Sequence, residues 1–210
     1  MEELIQNLID EGYLKSKPII EAFRKIKRED FLPKDIKEDA SLNVPLLISH
    51  GQTISQPLTV AFMLELLQPK KGDKVLDVGS GSGWQTALLA ELVGEKGKIY
   101  AIERIPDLMR FGEKNVSKYG FKNVEFICGD GTKGYKKGSP YDKIIVAAAA
   151  EIGIPDILLQ QLKVGGRLVI PVGKYEQAMV MVDKVGKNDY QEKRFPGFQF
   201  VPLVPKKWGE

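Results

Sequence analysis

The chain has 210 residues, 43% of them hydrophobic, and 31 Lys and Arg against 28 Asp and Glu give a net charge of +3. That length suits one large domain with a sizeable core, and the interspersed charges lack the clustered basic excess of a nucleic-acid binder. A single cysteine allows no internal disulfide, a single histidine argues against His-built metal sites and His-relay catalysis, and no apolar run approaches the roughly 20 residues that span a bilayer.

The stretch Met1-Glu2-Glu3-Leu4 lacks the basic and apolar regions of a secretion signal, so a cytoplasmic setting is expected. Residues 1–30 read as helical. Leu4, Ile5, Leu8 and Ile9 form one apolar stripe; Ser16 and Pro18 suit the cap and first turn of a second helix, which Phe31-Leu32-Pro33 ends. Residues 34–57 show no clear period and carry Pro45, Gly51 and Pro57, so an irregular loop is expected. Leu58 to Leu67 is nearly all apolar and fits a buried helix.

From residue 74 strands and helices alternate. Lys74–Val78 is a first strand, and the helix after it carries Trp84, Leu88 and Leu92 along one face. Lys98–Ile102 is a second strand. Pro106 opens a helix with Leu108, Met109, Gly112, Val116 and Tyr119 on one face, and Gly120 closes it. Val124–Cys128 and Lys143–Ala147 are the third and fourth strands, the latter suited to burial on both faces. Pro155–Leu162 reads as a helix stopped by Gly165-Gly166, and Arg167–Ile170 as a fifth strand. Residues 177–184 and about 190–200 form an antiparallel pair across a turn at Gly186–Asp189. The alternation specifies an α/β, doubly wound, mostly parallel sheet, which takes ligands at the carboxyl ends of its strands.

The first strand runs into Asp77-Val78-Gly79-Ser80-Gly81-Ser82-Gly83-Trp84. Glycines let the backbone approach a ligand closely, and the helix that follows offers free N–H groups. Glu103 and Asp130 fall where the second and third strands end. With Asp77 they make a row of acceptors suited to an amino group, a ribose diol and an adenine amino group. A dinucleotide fingerprint needs glycine or alanine in the sixth place from Gly79, where this chain has Trp84. Taken singly, the glycine run also fits an ordinary tight turn, Glu103 a solvated acid, and Asp130 a turn residue beside Gly131.

The order Asp-x-Gly-x-Gly-x-Gly resembles motif I of the Rossmann-like S-adenosylmethionine-dependent methyltransferases. In that family the glycine loop cradles the methionine part and the acid after the second strand, here Glu103, binds the ribose. Two further segments narrow the resemblance: Gly129-Asp130-Gly131-Thr132-Lys133-Gly134-Tyr135, continuing through Ser139–Ile144, and Gly51-Gln52-Thr53-Ile54-Ser55-Gln56-Pro57. With Arg28–Pro33, Gly165–Gly173 and Phe200–Val204, they resemble the protein-L-isoaspartate (D-aspartate) O-methyltransferase family from about residue 20 to 205. The chain departs from that pattern at Ser41, where Tyr is common, at Ala147, where Thr is common, and in a less proline-rich stretch at 150–155.

The resemblance implies one methyltransferase domain over 1–210, with N-terminal helices and a substrate loop in 1–68 and a Rossmann-like core in 69–210. It implies methylation of the α-carboxylate of L-isoaspartyl and D-aspartyl residues in damaged proteins, with S-adenosyl-L-methionine as donor and no metal. The expected partners are isoaspartyl peptides, met as a monomer, with no nucleic acid or membrane. The resemblance places Ser55 at the chemistry. It places Thr53, Ile54, Asp77, Gly79, Ser80, Gly81, Gly83, Glu103, Arg104, Asp130 and Gly131 at the cofactor, and Thr53, Ser55, Gln56, Pro57 and Val201 at the peptide.

A carboxylate acceptor with a pKa of about 3.5–4 is ionised at neutral pH and needs no general base, and the chain offers no obvious His–acid pair. What is required is positioning by a hydroxyl and backbone N–H groups. From local sequence alone Ser55 reads better as a cap for the helix that Pro57 opens, and the resemblance reverses that preference. His50 is expected in a loop without a catalytic role, Cys128 as a small core residue, and Lys133, Lys136 and Lys137 as a solvated face. The competing functions are a small-molecule or RNA methyltransferase and a cofactor-binding protein without turnover. Against adenine N6 chemistry, Val146-Ala147-Ala148-Ala149-Ala150 follows the fourth strand, not an Asn/Asp-Pro-Pro-Tyr/Phe motif.

Overall fold

Two amphipathic helices open the chain in a computed structural model that describes residues 1–205. Helix α1 (Glu2–Asp10) buries Leu4, Ile5 and Leu8, and α2 (Lys17–Lys25) buries Ile19, Ala22 and Phe23. Ser16 precedes α2 as expected, but its side chain does not cap it. Its hydroxyl instead donates to Glu65 Oε2 at 2.6 Å, and Glu65 Oε1 accepts the Lys15 and Ser16 N–H groups at 2.8 and 2.7 Å. A carboxylate from a later helix thus ties down the turn.

Residues 34–57 are more ordered than an irregular loop. Short 3-10 turns at Arg28–Phe31 and Lys34–Ser41 lead into a hairpin of β1 (Leu46–Ser49) and β2 (Gln52–Ile54). Its tip, His50-Gly51, puts both residues in the left-handed region, with φ 51° and 66°. Two-residue hairpins favour that geometry, but Asn or Asp normally announces it. Helix α3 (Pro57–Leu67) follows and is largely buried.

The core alternates β3 (Lys74–Val78), α4 (Trp84–Val93), β4 (Lys98–Glu103), α5 (Pro106–Ser117), β5 (Val124–Cys128), β6 (Tyr141–Val146), α6 (Asp156–Gln161) and β7 (Leu162–Val172). β8 (Gln177–Lys184) and β9 (Tyr190–Phe198) complete a seven-stranded sheet of order β5-β4-β3-β6-β7-β8-β9. Pairs from β5 to β7 are parallel, whereas β8 and β9 each run antiparallel to their neighbour.

Alternating strand residues feed two cores. Val75, Ile99, Ile145 and Val169 face the N-terminal helices, α3 and α4; Leu76, Ile102, Ile144 and Leu168 face α6. Ile144, Ile145 and Val146 are fully buried, each worth about 1.5–3 kcal/mol. Among the described residues, no helix is long and apolar enough to cross a membrane.

Two expectations are corrected. Gly165-Gly166 does not stop the helix: α6 ends at Gln161, the chain enters β7 at once, and the glycines lie in a bulge between the Tyr141–Leu162 and Lys143–Arg167 pairs. Cys128 is exposed, because β5 is an edge strand and its last residue is uncovered.

Candidate active site

The sheet order reverses at β3, between β4 and β6, and a cleft open to solvent lies there at the strand ends. Its floor is the glycine loop. The Gly79 and Ser80 N–H groups both donate to Ile102 O, at 2.8 and 3.1 Å, which fixes the loop to the end of β4. One wall is the hairpin, through Gln52, Thr53 and Ile54, with Ser55 following; the other is Val201–Val204. That last segment lies beside the end of β6: Ala149 N–H donates to Val201 O at 2.8 Å and Leu203 N–H to Ala149 O at 2.7 Å.

Of the residues singled out in the sequence, Thr53, Ile54, Ser55, Gly79, Ser80, Gly81, Glu103, Arg104, Gly131 and Val201 line this cleft together. Gln56, Pro57, Asp77, Gly83 and Asp130 do not. Gln56 Nε2 donates to Asn43 O at 2.9 Å, and Pro57 is buried in the first turn of α3. Gly83 sits behind the loop. Asp130 caps the 3-10 turn Gly131–Lys133, its Oδ1 accepting Thr132 N–H at 3.0 Å and the Thr132 hydroxyl at 2.6 Å.

Asp77 is the clearest departure from an open row of acceptors. It is fully buried, and its oxygens accept Gln85 Nε2 at 2.8 Å and the Thr86 hydroxyl at 2.6 Å. It braces the start of α4 rather than facing a ligand. Burial pushes its carboxyl up to about 6, against the hydrogen bonds from Thr86 and Gln85 and with a further push from Glu103. The folded protein therefore holds this proton where the unfolded chain has released it. The stability it contributes is complete below pH about 4 and is lost as pH rises through about 6. A gap of about two pH units, each worth about 1.4 kcal/mol, sets the scale. Asp77→Asn is expected to gain on the wild type by about 2–3 kcal/mol between pH 4 and 7, read as the difference of two urea-unfolding series. A difference flat with pH contradicts this.

Glu103 is 7% exposed and lines the cleft. Its Oε2 accepts Gly81 N–H at 3.1 Å and its Oε1 accepts Ile105 N–H at 3.0 Å, leaving lone pairs for a diol. Ser80 Oγ is buried without a hydrogen-bond partner among the described residues, beside the backbone cradle of Gly79–Gly83. An orphaned hydroxyl in a glycine-lined cradle with a carboxylate at its rim fits an amino-acid-plus-ribose ligand. Among the described residues no cluster of His, Cys, Asp or Glu is placed to hold a metal ion.

Trp84, used above to argue against dinucleotides, is 1% exposed and faces the N-terminal helices. It packs edge-on to Phe23 at 5.5 Å, under the Arg28 guanidinium at 5.5 Å, with Nε1 donating to Ile26 O at 3.4 Å. The close approach behind the loop is made by Gly83 against Gly112 of α5.

The helix-cap reading of Ser55 is not realised. Gln56 occupies the cap position, and Asn43 Oδ1 accepts the Leu58 N–H at 3.0 Å in its place. The Ser55 carbonyl accepts from Arg28 at 3.1 Å, and among the described residues nothing hydrogen-bonds the Ser55 hydroxyl. His50 lies at the hairpin tip, 3.4 Å from Asp107 Oδ2. Sequence reasoning missed Asn43 and the role of Arg28. Their partners lie 12–27 residues away and are mostly backbone carbonyls, which leave no mark in a side-chain pattern.

A model of the family "Protein-L-isoaspartate(D-aspartate) O-methyltransferase" matches residues 1–208. A protein-L-isoaspartate O-methyltransferase of Ignicoccus hospitalis is 47% identical over 98% of this chain and 97% of its own length. One of Methanopyrus kandleri is 44% identical over 97% and 90%. A Plasmodium falciparum structure described as a protein-L-isoaspartate O-methyltransferase, in complex with S-adenosyl-L-homocysteine, superposes with a TM-score of 0.85. It is 25% identical and covers 96% of this chain and 97% of its own. A glycine cradle with an acid at its rim, a hydroxyl across the cleft and relatives matched end to end agree: the chain belongs to the protein-L-isoaspartate (D-aspartate) O-methyltransferase family.

Proposed function

We propose that the chain carries out its family's reaction, methyl transfer from S-adenosyl-L-methionine to L-isoaspartyl residues of damaged proteins, by positioning alone and without a general base. The observation that carries this is the inventory of the cleft. Its lining holds Glu103, Arg104 and the Ser55 hydroxyl but no histidine, and His50 stands outside it on the hairpin tip. The bound donor supplies an electrophilic methyl group on a sulfonium. The acceptor carboxylate is already ionised, so a neutral donor such as Ser55 orients it without quenching its charge.

In this reading Glu103 holds the ribose diol, the Ser80 hydroxyl and the close-approaching glycine backbone receive the amino-acid end, and Gly131 packs at the base. Thr53, Ile54 and Val201 offer backbone and apolar contacts to the peptide. Asp77 and Asp130 act from behind, by bracing α4 and the turn at Gly131. Gln56 and Pro57 shape the entry to α3.

Ser55→Ala is expected to lower kcat about 10- to 100-fold, the worth of one hydrogen bond to a charged group. The melting temperature and the affinity for S-adenosyl-L-homocysteine stay within error, because the hydroxyl caps nothing. Enzyme kinetics beside calorimetry check this. Full activity in a variant with a lowered melting temperature contradicts it.

A further inference from the structure

Arg28 is fully buried, yet among the described residues no carboxylate pairs with it. Its Nη1 donates to Ala40 O at 3.2 Å and Leu42 O at 2.9 Å; its Nη2 donates to Val44 O at 2.8 Å and Ser55 O at 3.1 Å. Its guanidinium carbon lies over the ring of Trp84, the first residue of α4 and part of the cleft lining. A buried cation answered by carbonyl dipoles and an indole face, its Nε unpartnered among the described residues, is a costly device for holding a loop, since ordinary packing would do it more cheaply. Burial pulls the guanidinium down to about 10, so it stays charged at neutral pH. What the device achieves is geometric. One rigid, planar donor set fixes the segment 40–44, the backbone of Ser55 and the start of the cofactor helix relative to one another.

We propose that Arg28 is a positioning residue that sets the Ser55 hydroxyl at its working distance from the cofactor loop. This rests on the assignment of Ser55 to the peptide. Asn43, between the clamped carbonyls, takes Leu58 N–H at 3.0 Å and Gln56 Nε2 at 2.9 Å, so the clamp also sets where α3 begins. Lysine in its place keeps the charge but not the fork, and reaches fewer of these carbonyls.

The test uses Ser55→Ala, Arg28→Lys, Arg28→Ala and the double variant Arg28→Ala/Ser55→Ala. Each is assayed with an isoaspartyl peptide at a temperature where circular dichroism shows it folded. S-adenosyl-L-homocysteine affinity is measured in parallel. Arg28→Ala is expected to lose kcat up to the loss of Ser55→Ala and no further, about 10- to 100-fold, with cofactor affinity nearly intact. Arg28→Lys falls between it and the wild type. Guanidinium ion, added to Arg28→Ala below denaturing concentration, restores part of kcat, which general loosening does not allow. The double variant loses no more than Ser55→Ala alone, because both act through one hydroxyl. Multiplying losses in the double variant, or a parallel fall in cofactor affinity, overturn the positioning role. Should Arg28→Ala not fold, Arg28→Lys alone and with Ser55→Ala carries the same comparison. If Ser55→Ala keeps full kcat, the Ser55 assignment itself falls, separately from any effect at Arg28.

Discussion

Glu103→Ala is expected to weaken cofactor binding by about 100-fold or more, the largest single loss of affinity at this site. A carboxylate accepting two ribose hydroxyls contributes about 1.5–3 kcal/mol per bond. The same side chain also accepts Gly81 and Ile105 N–H groups, so its removal leaves two backbone donors without partners and slackens the loop. An analogue lacking one ribose hydroxyl separates the two effects. Against the wild type it binds about tenfold or more weakly than the parent. Against Glu103→Ala it binds about as well as the parent, because the acceptor is already gone. Unchanged calorimetric affinity in Glu103→Ala refutes the ribose assignment.

A large loss of stability is expected from Gly83→Ala. Gly83 has φ +87°, and an added Cβ would lie 2.7 Å from Gly112 O and 2.9 Å from Val116 Cγ2. Left-handed alanine costs about 1–2 kcal/mol, and pushing two packed helices apart a further 1–3 kcal/mol. The total, about 3 kcal/mol, is a large share of a domain's net stability of about 5–15 kcal/mol. Gly120→Ala is the control: its φ is +71°, but a Cβ there meets nothing within 4 Å. Urea unfolding of both variants isolates the steric part. Equal losses contradict a close approach between α4 and α5.

The parallel core was legible because strands buried on both faces are written as unbroken apolar runs, and Pro106 opens α5, which ends at Ser117 with Gly120 in the left-handed turn just beyond. The glycine loop was legible because its spacing is fixed by backbone turns, and Trp84 was informative as a departure from that spacing. What could not be read is where polar side chains spend their hydrogen bonds. Asp77 looks like an exposed ligand until Gln85 and Thr86 are seen to occupy both oxygens. Ser55 looks like a helix cap until Asn43 is seen in that place. The hairpin was hidden because His50 takes a conformation usually given to Asn or Gly. The acceptor class, read from family resemblance at Gly51–Pro57 and Gly129–Ile144, agrees with relatives matched over nearly the whole chain.

This cleft is expected to methylate a rerouted backbone carboxylate. The most direct measurement is transfer of labelled methyl from S-adenosyl-L-methionine to two synthetic peptides identical except for Asp or isoaspartate at one position. Labelling of the isoaspartyl peptide alone is predicted, as a base-labile ester. Equal labelling of both peptides, or of neither, contradicts it.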